Sequence, residues 1–366
     1  MTSSRLRLGL VFGGMSVEHE VSVVSAQHVI AAADPNRFEV VPIGVTPEGV
    51  WLTPIETAAA LAKPEAPFHK RIERQPSLIP SVRFEDMEER ANLAAAFDAL
   101  ASVDVVFPLI HGTHGEDGTL QGLLELARLP YVGCGVAASA LGMDKALMKS
   151  VFKAEGLPVS DYVVLNVVED GSDLLDHARD IEMRFTLPVF VKPASGGSSL
   201  GVSKVRSREE LVTGLAEAAK YDRKIVVEPA IEGREVDCAV LGNRDAQASP
   251  LGEVRHRRDF YDYEAKYLDP QTQILAPADV PADVTKRGQD LALRAFHAID
   301  GSGFSRVDFF LRPDGSLLID EINTIPGFTP ASMFPRLWQA VGVSYSELIA
   351  RLVDFALARH RERPIA

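Results

Sequence analysis

The dipeptide Asp314-Gly315, set between two runs of alternating character, constrains this chain more than any other feature, because Asp-Gly in that setting is a strong hairpin signal. Read as a two-residue turn, it fixes a register in which Leu311 faces Leu318, Asp308 faces Glu321 and Arg306 faces Asn323. Directly opposed carboxylates destabilise a ladder, so Asp308 against Glu321 asks for a compensating cation. Asn323 falls on the same face as Glu321, and an all-oxygen donor set of this kind suits Mg2+ or Mn2+ held jointly with substrate phosphates. The plainer alternative is a pair of solvated surface acids, since a slip of one residue turns a side chain to the other face. Arg306 is either the ion-pair partner of these acids or a planar fork for a transferring phosphoryl group, and the fork is the preferred reading.

A second segment also points to phosphate. Lys192-Pro-Ala-Ser-Gly-Gly-Ser-Ser-Leu-Gly201 lies between two expected strands, and its glycines let backbone N–H groups come close to phosphate oxygens. Ser195, Ser198 and Ser199 add donors, and Lys192 adds charge. It is neither a Walker A loop nor a dinucleotide fingerprint; the alternative is a plain hairpin linker. Lys145, Lys266 and Arg306 are further cations that could complete such a site. The loop His256 to Pro270, with Phe260-Tyr-Asp-Tyr-Glu-Ala-Lys-Tyr267, reads as a water-excluding lid or as an ordinary connection.

Composition narrows the class. At 366 residues, two or three domains are expected. The net charge of -13 works against a nucleic-acid surface, and nucleic acid is not an expected partner. No run of ~18 apolar residues is present to span a membrane, and the apolar run Leu8 to Phe12 is too short for a signal peptide. Two cysteines, Cys134 and Cys238, make no disulfide framework, so a soluble cytoplasmic protein is expected.

Along the chain, residues 6 to 12 read as a strand, Gly13-Gly14 as a turn, and Val17, Val21 and Val24 as one helix face. Val103 to Pro108, His111 to Gly118 and Leu120 to Leu129 repeat the strand, loop and helix, which makes the first third an α/β sheet whose loops place Glu18 and His111 at a candidate site. Residues 51 to 90 read as a peripheral insertion. One helix is expected from Leu141 to Glu155, then strands at 187–192 and 202–205 and a helix entered by a Ser207/Glu210 capping box. Strands at 225–228 and 235–241, a helix at 282–298 and the hairpin complete a second part that looks α+β.

Together, Phe12-Gly-Gly with Glu18-His-Glu-Val-Ser, His111-Gly-Thr-His-Gly-Glu-Asp-Gly, Lys192-Pro with Gly197-Ser-Ser, Tyr261-Asp-Tyr-Glu-Ala-Lys-Tyr and Glu321-Ile-Asn-Thr-Ile-Pro-Gly resemble the D-alanine:D-alanine ligases, in order and spacing, from near residue 6 to about 350. The resemblance implies an α/β N-terminal domain (1–140), a central ATP-grasp subdomain (141–230) and a C-terminal ATP-grasp subdomain (231–366), with ATP between the last two. It implies that Lys145, Lys192, Ser198 and Lys266 meet the phosphates or the base, that Glu228 and Ile231 meet the adenine edge and Glu235 the ribose, and that Phe260 packs on the base. Asp308, Glu321 and Asn323 would hold Mg2+ or Mn2+, two ions with nucleotide bound. Glu18 would bind the first D-alanine ammonium and join Ser199 and Tyr267 in a network that closes the lid. His111 would lie near that substrate, Ser332 would bind the second D-alanine carboxylate, and Arg306 with the N–H of Gly327 would stabilise the tetrahedral intermediate.

A D-alanine:D-lactate ligase is the nearest alternative, and Tyr267 favours the dipeptide former. A silent nucleotide-binding module and a dinucleotide oxidoreductase fit less well, the first because every implied side chain is present and the second because Gly13-Gly14 lacks the fingerprint spacing. The sequence departs from many relatives at Ala194-Ser-Gly-Gly and in residues 51 to 90. A homodimer is implied by the resemblance alone.

Overall fold

A computed structural model describes residues 5–61, 94, 96–167, 174–255 and 271–362. Among these, three sheets organise the chain. The first is parallel, in the order β2 (Phe38–Val45), β1 (Leu6–Gly13), β3 (Val105–Pro108). Its central strand is buried on both faces, as a crossover-connected sheet requires. Leu8, Leu10 and Phe12 enter one apolar cluster and Val11 another. The helix His19–Ala32 follows β1 through the glycine turn. Gly13 sits at φ +91, and a Cβ there would lie 2.2 Å from the Val45 carbonyl oxygen, so the turn leaves no room for a side chain.

The second sheet is antiparallel, in the order β4 (Val163–Asn166), β7 (Lys224–Pro229), β5 (Val189–Pro193), β6 (Ser203–Val205). Helices Leu174–Arg184 and Arg208–Ala218 close one face of it, packing Ala178, Ile181, Leu211 and Leu215 with Val189 and Val191 in one cluster. The third sheet runs β10 (Gln273–Leu275), β9 (Gln247–Arg255), β8 (Arg234–Gly242), β11 (Gly303–Leu311), β12 (Leu317–Asn323). Helix Ala282–Ala298 covers one of its faces; the C-terminal helices Met333–Ala340 and Tyr345–Arg361 cover the other and share their cluster with the first sheet. Phe107, Phe304 and Phe328 meet there edge to face, so the two ends of the chain are built on one core.

Several sequence expectations need correction. The single helix from Leu141 to Glu155 is two, Val136–Met143 and Lys145–Ala154. Asp144 leaves helical geometry between them and caps the second, its side chain accepting from the N–H groups of Ala146 and Leu147. Ser207 does cap its helix by accepting from Glu210 N–H, but Glu210 returns its carboxylate to Arg206 N–H, one residue short of a closed box.

The hairpin turn spans three residues, not two. Arg312 N–H bonds Ser316 carbonyl at 2.9 Å, and Gly315 takes the left-handed position at φ +80. Every partner near the turn therefore moves by one, and Leu311 faces Leu317 rather than Leu318. A bulge beside Asp308 and Phe309 then accommodates Asp320 as an extra residue on β12. The two departures cancel, and Asp308 faces Glu321 and Arg306 faces Asn323 as expected. Strands β2, β4, β9 and β10, helix Leu174–Arg184 and the two C-terminal helices were not expected. Residues 54–61 of the presumed insertion form a helix packed on β2, and residues 62–90 lie outside the described residues.

Candidate active site

Between the second and third sheets opens a cleft of about 1450 Å³, whose far end reaches Glu18 and His111 beside the first sheet. That is room for more than one small molecule. The segment that leads into β4 is tied to the third sheet, where Ile319 N–H bonds Pro158 carbonyl at 2.8 Å.

One wall comes from β5, β7 and helix Lys145–Ala154. Lys192, at the end of β5, is fully engaged: it contacts one carboxylate oxygen of Glu228 and lies 3.1 Å from Asp320. The other oxygen of Glu228 takes Lys149 at 2.9 Å and the Ser160 hydroxyl at 2.6 Å. Burial alone would raise the Glu228 pKa, but Lys149 and Lys192 hold it well below the usual carboxylate range. Burial would likewise lower Lys192, yet Asp320 and Glu228 push it upward and keep it protonated. Lys145, the first residue of its helix, reaches Gly196 carbonyl at 2.9 Å and Glu321 at 3.3 Å.

From β5 the chain enters the glycine-rich loop. Ser198 and Ser199 both have positive φ, 51° and 59°, a conformation costing of order 1 kcal/mol per non-glycine residue and concentrated at functional sites. Ser198 Oγ is buried and has no partner among the described residues. The loop presses on Glu18: a Cβ on Gly197 would lie 3.1 Å from Glu18 Oε2, and one on Gly112 3.5 Å. Glu18 is thus held between the two glycine-bearing loops that the sequence singled out.

The other wall is the hairpin with β8. Across β8, β11 and β12, Asp237, Asp308 and Glu321 form one row, and Ala239, Arg306 and Asn323 the next. Arg306 grips Asp308 with two bonds of 2.7 and 2.6 Å, and Asn323 donates to the same carboxylate at 2.9 Å. Arg306 therefore stands here as the ion-pair partner of the acids, the alternative that the sequence reading ranked second. Asp237, 4.0 Å from Arg306, is pushed well above the usual carboxylate range by burial and by Asp308.

Asp308 and Glu321 with the Asn323 amide fit a magnesium-type ion, which needs one or two carboxylates and completes its shell with phosphate oxygens and water. Among the described residues no three His, Cys, Asp or Glu side chains converge on one point, so these residues would share the ion with a ligand instead of caging it. Ser332 Oγ lies near Gly327, 3.1 Å from where a Cβ would be, and is held by Thr329. Glu228, Ile231, Glu235, Ser332 and Gly327 all line the cleft. Phe260, Lys266 and Tyr267 lie outside the described residues.

His111 is buried, and its Nδ1 donates to Ile325 carbonyl at 3.0 Å. Burial pushes the imidazole pKa down, so the ring is neutral and its Nε2 is an acceptor. Glu116, in the same loop, accepts from Gly112 N–H at 2.7 Å and from Ile325 N–H at 3.1 Å. Its pKa is pushed up to about 8, first by burial and then by Glu18. Sequence reasoning missed Glu116, Lys149, Asp237 and Asp320. The first lay inside a quoted motif, and the second stands one helical turn after Lys145 on the same face; strand pairing and the bulge place the other two.

A cleft with lysines and a strained serine-glycine loop on one side and an acid row with arginine on the other defines the class: a site for a polyphosphate nucleotide, continuous with the end that reaches Glu18 and His111. Residues 7–134 match the family model described as D-ala D-ala ligase N-terminus, and residues 151–354 match D-ala D-ala ligase C-terminus. The chain is 45% identical over 362 residues to a D-alanine--D-alanine ligase of Geobacillus thermodenitrificans, covering 98% of this chain and 97% of that one. It resembles the solved structure of the D-alanine-D-alanine ligase from Coxiella burnetii, with a TM-score of 0.78, 33% identity and coverage of 98% and 96%. It also resembles a D-alanine--D-alanine ligase from Bacillus anthracis complexed with ATP, with a TM-score of 0.70, 28% identity and coverage of 98% and 99%. The chain belongs to the D-alanine–D-alanine ligase family.

Proposed function

We propose that this protein joins two D-alanine molecules into D-alanyl-D-alanine at the expense of ATP, through an acyl phosphate, with the three sheets serving as the three domains 1–140, 141–230 and 231–366. The observation that carries the reading is the meeting, in one cleft, of Lys145 and Lys192 with the acid row and with Glu18 and His111. The adenine edge lies along Glu228 and Ile231, and the ribose by Glu235. Because the Glu228 carboxylate is taken by two lysines and Ser160, its backbone is the part left to read the base. Lys145, Lys192 and the N–H groups around Ser198 hold the phosphates. Mg2+ on Asp308, Glu321 and Asn323 would neutralise charge on the transferring group.

Glu18 orients the first D-alanine by its ammonium, beside the His111 Nε2 acceptor; the D-alanine carboxylate attacks the γ-phosphorus in line, the bond from that phosphorus to the β,γ-bridging oxygen breaks, and ADP leaves. The amine of the second D-alanine, held by its carboxylate near Ser332, attacks the acyl phosphate and expels phosphate. Arg306 and the Gly327 N–H stabilise the oxyanion, which requires Arg306 to loosen from Asp308 when cationic and anionic ligands arrive. In the same reading Phe260 and Lys266 serve the base and the phosphates, and Tyr267 acts together with Glu18 and Ser199. A cytoplasmic homodimer belongs to the same reading. The test is phosphate release and product mass with MgATP and D-alanine. Dipeptide from D-alanine and none from L-alanine is the expected result, and MgATP binding with no phosphate release would mean a different substrate.

A further inference from the structure

We propose that Lys149, which does not line the cleft, is a positioning residue for ATP: by neutralising Glu228 from behind, it lets Lys192 exchange its hold on Glu228 for a phosphate oxygen. The proposal rests on the nucleotide site described above. Lys149 is 1% exposed and comes from the helix whose first residue, Lys145, faces the cleft. Its ammonium bonds Ser160 Oγ at 3.1 Å and Glu228 Oε2 at 2.9 Å, while Lys192 takes Oε1. Asp320 completes the group at 3.1 Å from Lys192.

The four side chains carry two positive and two negative charges. In so buried a place the balance matters, because an uncompensated charge costs more there than the pair ever contributes. If Lys149 were absent, Glu228 and Asp320 would have only Lys192 between them. Lys192 would then be bound to the wall, and the wall would present one net negative charge to the incoming triphosphate. With Lys149 in place, Glu228 is satisfied on its far oxygen, and Lys192 can exchange a carboxylate for a phosphate oxygen without leaving an anion unpaired. Ser160 fixes the direction of the Glu228 carboxylate, so the two lysines approach separate oxygens.

This arrangement makes a prediction of unusual sign: removing Glu228's charge should repair the loss of Lys149. MgATP affinity is measured by calorimetry without D-alanine, and KM for D-alanine by steady state, on the full chain. Lys149→Met, or Lys149→Gln should the first not fold, is expected to bind MgATP about tenfold more weakly with the KM for D-alanine changed less than about twofold. The double variant Lys149→Met with Glu228→Gln is expected to recover to within about threefold of wild type, because it holds no unpaired buried charge. Wild-type affinity in the single variant, or a double variant as weak as the single, would overturn the proposal. A wild-type protein that does not bind MgATP, or a Lys192→Ala variant that binds it normally, would instead overturn the nucleotide-site reading beneath it.

Discussion

The two walls of the cleft use the same kinds of charge in different ways. On the β5 and β7 side, the Lys149, Glu228 and Lys192 side chains are 1%, 4% and 11% exposed. On the hairpin side, Arg306, Asp308 and Glu321 are 21%, 17% and 24% exposed. The first network is charge-balanced and most deeply buried at Lys149 and Glu228, so removing either of those two leaves a buried charge. The second pairs acids with cations that solvent can reach, so arriving ligands can replace those cations. The proposed mechanism, in which the site grips a nucleotide while a metal ion and Arg306 change partners, would be served by a more fixed wall at Lys149 and Glu228 and a more exchangeable one on the hairpin.

The largest expected effect sits on the exchangeable side. Arg306→Ala should lower kcat by about a hundredfold or more while MgATP affinity, by calorimetry, stays within severalfold. Near wild-type dipeptide synthesis would remove Arg306 from the chemistry and leave it a structural ion-pair partner. The same chemical change on the two walls then separates them by stability. Glu228→Gln strands Lys149 in the core and should cost about 3 kcal/mol, whereas Glu321→Gln should cost under about 1 kcal/mol. Equal losses in urea denaturation would break the distinction.

Glu116, which ties the His111 loop to the turn before Gly327, tests the comparison by pH. Its carboxyl titrates near 4.5 when unfolded and at about 8 in the fold, so the folded state binds its proton more tightly. Its contribution is complete below pH 4.5 and is lost as pH rises toward 8, by an amount on the order of 5 kcal/mol. Glu116→Gln should flatten stability over that window, and an unchanged slope would mean that another group sets it. A small effect, on stability alone, belongs to the hairpin turn. Gly315→Ala would place its Cβ in ordinary contact with the Arg287 guanidinium, 3.8 Å away, yet must take a positive φ, so thermal unfolding should show a loss of about 1 kcal/mol with kcat unchanged.

Much of the exchangeable wall was legible in the sequence because a hairpin is local: Asp314-Gly315, Asp308 and Glu321 lie within 14 residues. Even so, the correct pairing of the acids depended on a turn and a bulge whose one-residue errors cancelled. The parallel first sheet was visible as two strand, loop and helix repeats, although β2 escaped because nothing local marks its pairing with β1. The fixed wall was harder to read. Lys149 and Ser160 carry no motif of their own, and only the packing of helix Lys145–Ala154 against β7 makes them partners of Glu228. Asp144 broke an expected helix because an aspartate inside an apolar pattern reads as a tolerated polar residue until its side chain is seen capping the next turn.

The central claim is that both walls serve transfer of phosphate to a D-alanine carboxylate before the peptide bond forms. D-alanine labelled with 18O in its carboxylate, incubated with MgATP and followed by mass analysis of the released phosphate, tests it directly. One 18O in the phosphate for each dipeptide formed is the predicted result, since the acyl phosphate's bridging oxygen leaves with phosphorus. Dipeptide accompanied by unlabelled phosphate would contradict the account.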